Sequence, residues 1–403
     1  GTDKTATVTL TPTNDISKKF AFQINQKSEA YSGARINANE NFRNNIENLV
    51  KANGGVIDDV KKVKIIGHSD KYSGYTPATL PANVWRIAGN ERNLPHNVYM
   101  EWDAATATIT VSTPGSVVST NNTCSKMFQK CPGLKEVDLS GLDISICTNM
   151  SSMFFNCPKL KHVDLTPLNT SQVTNISGLF TMCESLETVN IKGLNTSNVN
   201  NMANVFDRCY SLKSADISTW NTDKVTNFSR MFWNCQKLED VKLNCSKTSL
   251  TADGVKEMFV NCYMLKSVDM SSFDFHDATN FTSIFSNCKN LQTVVFGKDN
   301  TSKITTMTNA FANVGGNGEF TCVNADFSSV TNMDKAFSGC TATSINLSGW
   351  KTTSVQRLGN TFGGLANAKK INLSGWSADN ATNIGKMFDG AKVVEEIDLG
   401  TNF

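Results

Sequence analysis

Eleven phenylalanines recur at an almost constant spacing through the C-terminal two thirds of the chain. They are Phe128, Phe154, Phe180, Phe206, Phe232, Phe259, Phe285, Phe311, Phe337, Phe362 and Phe388. The steps are 26 residues, except for one of 27 and one of 25. Such a period indicates an array of stacked units, because one unit buries its apolar face only against its neighbours. This part of the chain is therefore predicted to form a solenoid of about eleven repeats.

Each unit is predicted to contain a short helix. In the stretch NMSSMFFNC at 149–157, the apolar residues follow the i, i+3, i+4, i+7 spacing of one buried helical stripe. Asn149 is suited to cap the first turn, since its side chain can accept from an unpaired backbone N–H. Pro158 follows directly, so the helix is expected to end there.

Each unit is also predicted to contain a short strand. In KHVDLT at 161–166, Val163 and Leu165 alternate with polar residues, which is typical of a half-buried strand. Equivalent strands follow every repeat phenylalanine, and stacked units would place them side by side about 4.8 Å apart. The predicted fold is therefore an α/β solenoid with a parallel β-sheet.

The first 115 residues lack the repeat. We divide the chain into residues 1–115, an α+β region that caps the solenoid, and residues 116–403, the solenoid itself. Within the cap we predict a helix over 40–52 and a hairpin turning near Asp103 and Ala104. Strands are predicted in the stretches TATVTLTP, KKFAFQIN and VKKVKIIG.

The run MFFNCPKLKHVDLTPLNTSQVTNISGLF resembles the BspA-like branch of the leucine-rich repeats, found on bacterial surface proteins and lipoproteins. The resemblance covers residues from about 120 to 403. It implies a right-handed leucine-rich-repeat-type solenoid with the sheet on its concave face, in an exported protein displayed on the cell surface. Adhesion is the role usually suggested for this family, which has no catalytic motif to carry over. The unit around 315–326 and the last three units depart from the pattern, mainly by losing the cysteine.

Eight of the twelve cysteines lie three residues after a repeat phenylalanine, at 131, 157, 183, 209, 235, 262, 288 and 340. A disulfide ladder and a metal array are the alternatives to simple burial. Equivalent side chains in stacked coils point the same way, and no two C-x-x-C pairs are present. Units without the cysteine have Val314, Leu365 or Ala391 at that position. The position therefore requires a small apolar group, and we predict buried thiols.

Three more cysteines replace other apolar residues of the repeat: Cys124 a helix methionine, Cys147 a loop valine and Cys322 a strand leucine. Only Cys245 falls outside the pattern. Free thiols are common in reducing compartments. Buried thiols are inert in any compartment, however, so we follow the resemblance and expect a cell-surface or extracellular protein.

Charge and hydropathy restrict the partners. The net charge is +2 and the basic residues are scattered, so no nucleic acid is expected. No apolar run approaches the roughly 18 residues of a membrane span. The chain begins Gly1-Thr2-Asp3, and we expect that an export signal or lipid anchor has already been removed. A monomer is expected.

No catalytic motif is recognisable. No H-E-x-x-H or G-x-S-x-G is present, and the glycine cluster at 315–318 lies between a predicted helix and strand, the wrong order for a phosphate loop. Trp220, Trp350 and Trp376 align with apolar plugs such as Leu168. We predict a protein that is not an enzyme and uses no cofactor or metal.

The candidate ligand-binding residues are the outward mid-strand side chains, expected on the concave face. They are Asp138, Asp164, Asn190, Asp216, Lys242, Asp269, Asn346, Asn372 and Asp398. One interpretation is structural, with hydrogen bonds to neighbouring coils. The other is a polar face that recognises a protein, a glycan or weakly held cations. The main hypothesis is a non-catalytic adhesion protein. The alternative is a carbohydrate-binding component of a surface uptake system, with Tyr210, Tyr263 or Trp233 as stacking groups.

Overall fold

The structure is a computed structural model that describes residues 4–10, 20–26, 34–36, 38–72, 79–87, 97–114, 117–245, 247–298 and 300–401. These ranges hold twenty strands, one α-helix (α1, Glu40–Ala52) and one 3-10 turn (Ile57–Asp59). The strands before the repeat are β1 (Lys4–Leu10), β2 (Phe20–Gln26), β3 (Ala34–Ile36), β4 (Lys62–His68), β5 (Val84–Ile87), β6 (Val98–Asp103), β7 (Thr108–Thr113) and β8 (Val118–Thr120). The strands within it are β9 (Glu136–Asp138), β10 (Leu142–Asp143), β11 (His162–Asp164), β12 (Thr188–Asn190), β13 (Ser214–Asp216), β14 (Asp240–Lys242), β15 (Ser267–Met270), β16 (Thr293–Phe296), β17 (Glu319–Val323), β18 (Ser344–Asn346), β19 (Lys370–Asn372) and β20 (Glu396–Asp398).

Helix α1 confirms the prediction for 40–52. The side chain of Asn39 accepts from the backbone N–H of Asn41 at 2.9 Å and so caps the first turn. One face is fully buried, with Phe42 and Ile46 pointing into the core. The helix ends at Ala52 with Asn53 as its C-cap, and Gly54 follows in the left-handed conformation at φ 79°.

The strands before the repeat pair with the first repeat strands. One sheet has the order β5-β6-β7-β4-β9, and the hairpin between β6 and β7 turns after Asp103 as predicted. A second sheet joins β3, β8 and β10 in parallel. Strands β1 and β2 form an antiparallel pair. The three strands predicted before residue 68 are thus confirmed. The proposed division between residues 115 and 116 falls on two residues outside the described ranges.

The repeat strands that pair do so in parallel, with equivalent residues opposite one another except between β16 and β17, where Thr293 lies opposite Thr321. Strands β15 to β20 form one six-stranded sheet, while β11 pairs with β12 and β13 with β14. Val163, for example, lies opposite Val189, one unit further along the chain. The central apolar residue of most of these strands is buried, and the core runs continuously from Ile36 to Met387. The chain is therefore a repeat solenoid of stacked coils, made of parallel strands with few helices.

The repeat phenylalanines form one continuous stack inside the solenoid. From Phe128 to Phe388, neighbouring rings have centroids 5.2 to 5.7 Å apart and planes within 6 to 17° of parallel. Such near-parallel pairs add to the gain from burying the rings. The phenylalanine spacing is therefore the spacing of the coils.

The predicted short helices of the repeat units are wrong. Each of these segments is a run of turns in which two residues four apart adopt a left-handed conformation, as Ser152 and Asn156 do at φ 56° and 57°. Alternate backbone N–H groups donate to the next coil: Ser152 to Ser177 at 2.9 Å and Phe154 to Leu179 at 3.0 Å. An α-helix would use those N–H groups internally. Bonding between coils replaces helical bonding, and only i to i−3 turn bonds remain within the segment.

Candidate functional site

The polar side chains of the repeat strands form two parallel rows. Row B follows the central apolar residue of each strand and contains the nine predicted site residues. Row A precedes that apolar residue and consists of Glu136, His162, Thr188, Ser214, Asp240, Ser267, Thr293, Glu319, Ser344, Lys370 and Glu396. The strand register makes members of one row direct neighbours, as in Asp164 opposite Asn190 and Asn346 opposite Asn372. The exception is the step from β16 to β17, where Thr293 lies opposite Thr321 instead of Glu319. Both rows lie on the same side of the strand because side chains alternate with a period of two.

Row B closes the ends of the strands. In seven of its nine predicted members the side-chain Oδ1 accepts from the backbone N–H two residues on, at 2.9 to 3.2 Å. This is an Asx turn, in which the side chain replaces a backbone acceptor. Lys242 has no acceptor and cannot make it. The hydrogen bonds thus lie within one coil, whereas the structural interpretation of this row had them link neighbouring coils.

Hydrogen bonds lower the pKa of three row B carboxyl groups, those of Asp138, Asp216 and Asp269, and so favour their ionised form. Hydrogen bonds from Ser140 lower the pKa of Asp138, with the N–H contribution largest. The hydroxyl of Ser218, followed by its N–H, lowers the pKa of Asp216 in the same way. Asp138 also lies opposite Lys64 of β4, a partner that the repeat pattern did not reveal. Row B is therefore partly structural, with one carboxylate oxygen committed to the backbone.

Row A has no comparable backbone role, and sequence reasoning missed it as a candidate site. His162, Thr188 and Ser214 are exposed, and the His162 Nδ1 lies 2.7 Å from the Thr188 hydroxyl. Lys370 pairs with Glu396 at 2.8 Å across neighbouring strands. The period-two alternation was the signal, because it places the residues before and after the central valine on one face. Row A is thus the more available part of the face for a ligand.

Charges on and beside the face are mixed and paired between coils. Lys161 lies 3.2 Å from Glu187, and Lys369 lies 3.1 Å from Glu395. Exposed pairs of this kind contribute about 0–1 kcal/mol each, so they do little for stability. Between Thr188 and Thr293, row A is mainly hydroxyl-bearing. The face as a whole therefore offers hydrogen-bonding groups and alternating charge instead of a field of one sign.

Two grooves lie on this face, one towards each end. The first has a volume of about 420 Å³ and is lined by Glu136, His162, Asp164, Thr188 and Asn190 with the valines between them. The second has a volume of about 210 Å³ and is lined by Glu319, Ser344, Asn346, Lys370, Asn372, Glu396 and Asp398 with two isoleucines. The structure thus brings predicted residues together in two groups. Asp216 and Lys242 lie on the strands between these groups.

The candidate stacking aromatics lie in the turn segments, and cations already cover two of them. The ammonium of Lys289 is 4.9 Å from the Tyr263 ring centre. The guanidinium groups of Arg208 and Arg230 lie 5.1 and 5.8 Å from the Trp233 ring. These are cation–π distances.

The three aligned tryptophans are interior, as predicted. Trp220, Trp350 and Trp376 are all buried, and the indole N–H of Trp350 donates to the carbonyl of Cys322 at 3.0 Å. Such bonds allow a polar indole to lie in the core. These side chains fill the solenoid and are unavailable to a sugar.

All twelve cysteines are buried free thiols, which confirms the prediction of interior filling. Six of them also donate to the backbone oxygen of the phenylalanine in the preceding coil, at 3.0 to 3.2 Å. Burial raises the pKa of Cys183 and of Cys340 to about 12. In the part of the chain that the structure describes, no three His, Cys, Asp or Glu side chains are grouped as metal ligands would be.

The repeats match a known family model, described as "Mycoplasma protein of unknown function, DUF285", at residues 122–241, 214–319 and 315–400. Together these overlapping matches span residues 122–400, well over half of the chain. The chain belongs to this family. The DUF285 matches include both grooves and all eleven repeat phenylalanines, whereas residues 1–121 lie outside them. No curated protein and no solved structure matches the chain. None of the described helices is long and apolar enough to cross a membrane.

Proposed function

We propose that this DUF285 protein is a non-catalytic binding protein of the cell surface, whose rows A and B contact a macromolecular partner, either a protein or a glycoconjugate. The observation that carries this proposal is row A, which is exposed at most of its positions and whose members lie opposite one another in β11–β12, β13–β14, β15–β16 and β17–β20. The finer architecture is part of the same proposal: a right-handed, BspA-like leucine-rich-repeat solenoid of about eleven repeats with these rows on its concave side. The sequence resemblance supports that architecture and the surface location.

The dimensions of the face favour a large ligand. Eleven parallel strands at about 4.8 Å extend over roughly 50 Å. The polar groups are spread along that length and do not converge on one deep cavity, which is where small ligands are usually enclosed. An extended partner that contacts many coils fits this distribution.

A binding role is also favoured over catalysis. Acid–base enzymes usually place two titratable groups in environments that push their pKa values apart. On this face the shifts of Asp138, Asp216 and Asp269 are all in one direction, downward, through the same type of hydrogen bond. These carboxylates are fixed anions suited to recognition.

The carbohydrate-uptake alternative receives less support. Sugar stacking needs an uncovered aromatic face, and the rings of Tyr263 and Trp233 each face one or two cations. We therefore place the recognition surface on the strands. A glycan would then be held by hydroxyl, amide and carboxylate groups.

A two-stage experiment tests the proposal. The full chain is first screened against host matrix proteins and a glycan array, and each hit is measured by surface plasmon resonance. Thr188→Arg and Ser214→Arg, which place bulk on exposed row A positions, are expected to weaken the hit at least tenfold. Gln172→Arg, at an exposed loop position, is the matched control and should bind normally. Full binding by both face variants, or binding confined to residues 1–115, would contradict the proposal.

A further inference from the structure

The thiols of Cys124 and Cys147 are in direct contact inside the first coil. Their sulfur atoms are 2.9 Å apart, and both side chains are fully buried. The Cys124 thiol donates to the Cys147 sulfur, and the Cys147 thiol in turn donates to the backbone oxygen of Asn149 at 3.3 Å. Six of the eight cysteines that follow the repeat phenylalanines behave differently, because they donate to a carbonyl of the preceding coil, as Cys157 does to Phe128. The Cys124–Cys147 contact is therefore not part of the repeat pattern.

Both cysteines replace apolar residues of the repeat, and the two replacements meet. One unit later, Met150 stands at the position of Cys124 and Val173 at the position of Cys147, and both are buried. Buried apolar side chains are sufficient to fill this corner of a coil. Two thiols at two different repeat positions, brought into contact in one coil, therefore call for a chemical explanation beyond packing.

We propose that Cys124 and Cys147 are an oxidisable pair that closes to a disulfide and so fastens the first coil of the solenoid. A disulfide has an S–S length of about 2.05 Å, so the sulfurs need to approach by only roughly 0.9 Å. The bond would link residues 23 positions apart in sequence. It would tie the turn segment before Phe128 to the loop before the second coil.

The pKa values of the two thiols indicate which one attacks the oxidant and which one then closes the disulfide. Donation from the Cys124 thiol lowers the pKa of Cys147, whereas burial raises the pKa of Cys183 to about 12. Since the thiolate is the reactive form, Cys147 is the attacking group. Cys124 is the resolving group, already in contact with it.

Hydrogen peroxide, which is little larger than water, is the oxidant we name. It reaches these two thiols when the first coil opens transiently, because in the closed coil burial keeps them as inert as the other thiols. The Cys147 thiolate attacks one peroxide oxygen, the O–O bond breaks, and a sulfenic acid and hydroxide form. The Cys124 thiol transfers its proton to that hydroxide, giving water, and its thiolate attacks the Cys147 sulfur. Hydroxide leaves and takes up the proton that Cys147 had lost. In total, two thiols and one peroxide give one disulfide and two waters.

Mass spectrometry tests the proposal on the full chain. Folded protein is treated with peroxide at a dose that leaves its circular dichroism spectrum unchanged, and the reaction is then quenched. The protein is unfolded in the presence of an alkylating agent, without reductant, and digested. The expected product is one linked pair of peptides containing Cys124 and Cys147, with the other ten of the twelve cysteines alkylated. Reductant should restore twelve alkylated cysteines.

Two variants make the result specific. Cys124→Met with Cys147→Val installs the residues of the next coil, so it should fold and form no linked peptide. Cys262→Ala with Cys288→Ala removes two neighbouring thiols at the equivalent repeat position and should leave the Cys124–Cys147 link intact. Twelve alkylated cysteines after peroxide, a link between any other pair, or sulfinic acid on Cys147 without a link would overturn the proposal.

Discussion

The ring of Phe42 on α1 lies edge-on against the ring of Phe128, with centroids 5.8 Å apart and planes at 83°. Phe128 is the first member of the phenylalanine stack, and its other face is covered by Phe154. Helix α1 therefore covers the N-terminal end of the stack with a ring of the same chemistry. This contact joins the segment before the repeat to the repeat itself.

Removing that ring should destabilise the first coil. Phe42→Ala is expected to lower the free energy of unfolding by about 3–5 kcal/mol, through lost burial and the cavity left beside Phe128. The measurement is urea unfolding followed by tryptophan fluorescence. Asn44→Ala, on the exposed side of α1, is the matched control. A loss in Phe42→Ala no larger than in the control would show that α1 does not support the stack.

The buried thiols predict a loss of stability at alkaline pH. The pKa of Cys183 and of Cys340 is raised to about 12 in the folded chain, against about 8.5 for a free thiol. Above pH 9 the unfolded chain therefore binds fewer protons than the folded chain, so the free energy of unfolding falls with rising pH. The contribution of these groups is complete below pH 8 and is lost towards pH 12.

The double variant Cys183→Ala, Cys340→Ala isolates this effect. Each thiol makes the free energy of unfolding fall by up to about 1.4 kcal/mol per pH unit. In the double variant this fall should therefore be less steep by up to about 2.7 kcal/mol per pH unit. Denaturant unfolding at pH 7, 9, 10 and 11 measures the slope. The cavity left by alanine lowers stability equally at each pH and does not alter it. Equal slopes in the two proteins would refute the prediction.

Replacing the buried carboxylate of Asp207 by an amide is expected to stabilise the folded chain. Burial raises its pKa from 3.8 to about 6 against the opposing effect of Arg208 and Arg230, and its Oδ1 has no hydrogen-bond donor. A carboxyl group with a raised pKa favours the folded chain at low pH, and this contribution is lost as the pH rises through about 6. Asp207→Asn should therefore gain up to about 3 kcal/mol at pH 7.5 and little at pH 4.

Thermal unfolding at the two pH values checks this prediction. Asp240→Asn, at an exposed carboxylate of row A, serves as the control and should show no such gain. If Asp207→Asn were destabilised at pH 7.5, the carboxylate would have to be a favourable partner of the neighbouring arginines.

An asparagine ladder runs through four turn segments and predicts an unusual order of substitutions. The Asn287 amide donates to Asn261 at 2.8 Å and accepts from Asn313 at 2.7 Å, with its backbone at φ 61°. Asn287→Ala should cost about 2–4 kcal/mol, from two hydrogen bonds and a left-handed alanine. Asn287→Gly should cost about 1 kcal/mol less, because glycine adopts this backbone freely. Urea unfolding measures the stability of both variants. If Asn287→Ala were as stable as Asn287→Gly or more stable, the left-handed conformation of Asn287 would be contradicted.

The strands could be predicted because alternation depends on local geometry alone. Val163 and Leu165 face inward whatever lies on the next coil. The sequence predicts helices in the turn segments because successive tight turns also bring side chains back to one face every three to four residues. Met150, Met153 and Phe154 are buried in either conformation. The better signal was asparagine or glycine at fixed positions, such as Asn287 and Gly364, where φ is positive.

Contacts between distant segments could not be predicted from periodicity. The pairing of Asp138 with Lys64 and the meeting of Cys124 with Cys147 each join positions that have no common place in the repeat. The candidate site was therefore half predicted. The residues of row B could be predicted from the repeat pattern. Their Asx turns, and the exposure of row A to a ligand, could be recognised only from the hydrogen bonds in the structure.

The backbone bonds between coils have a consequence for how such proteins change over generations. Phe154 donates to Leu179 and Phe180 to Val205, so each coil offers its successor nearly the same set of donors. Deleting one whole coil by recombination would bring together two surfaces already shaped to meet. A single-residue change is instead absorbed within its coil, as in the 25-residue step from Phe337 to Phe362, whose rings remain stacked 5.4 Å apart. Length in this family can therefore vary in whole-coil steps, and a longer or shorter variant would keep its interior chemistry unchanged.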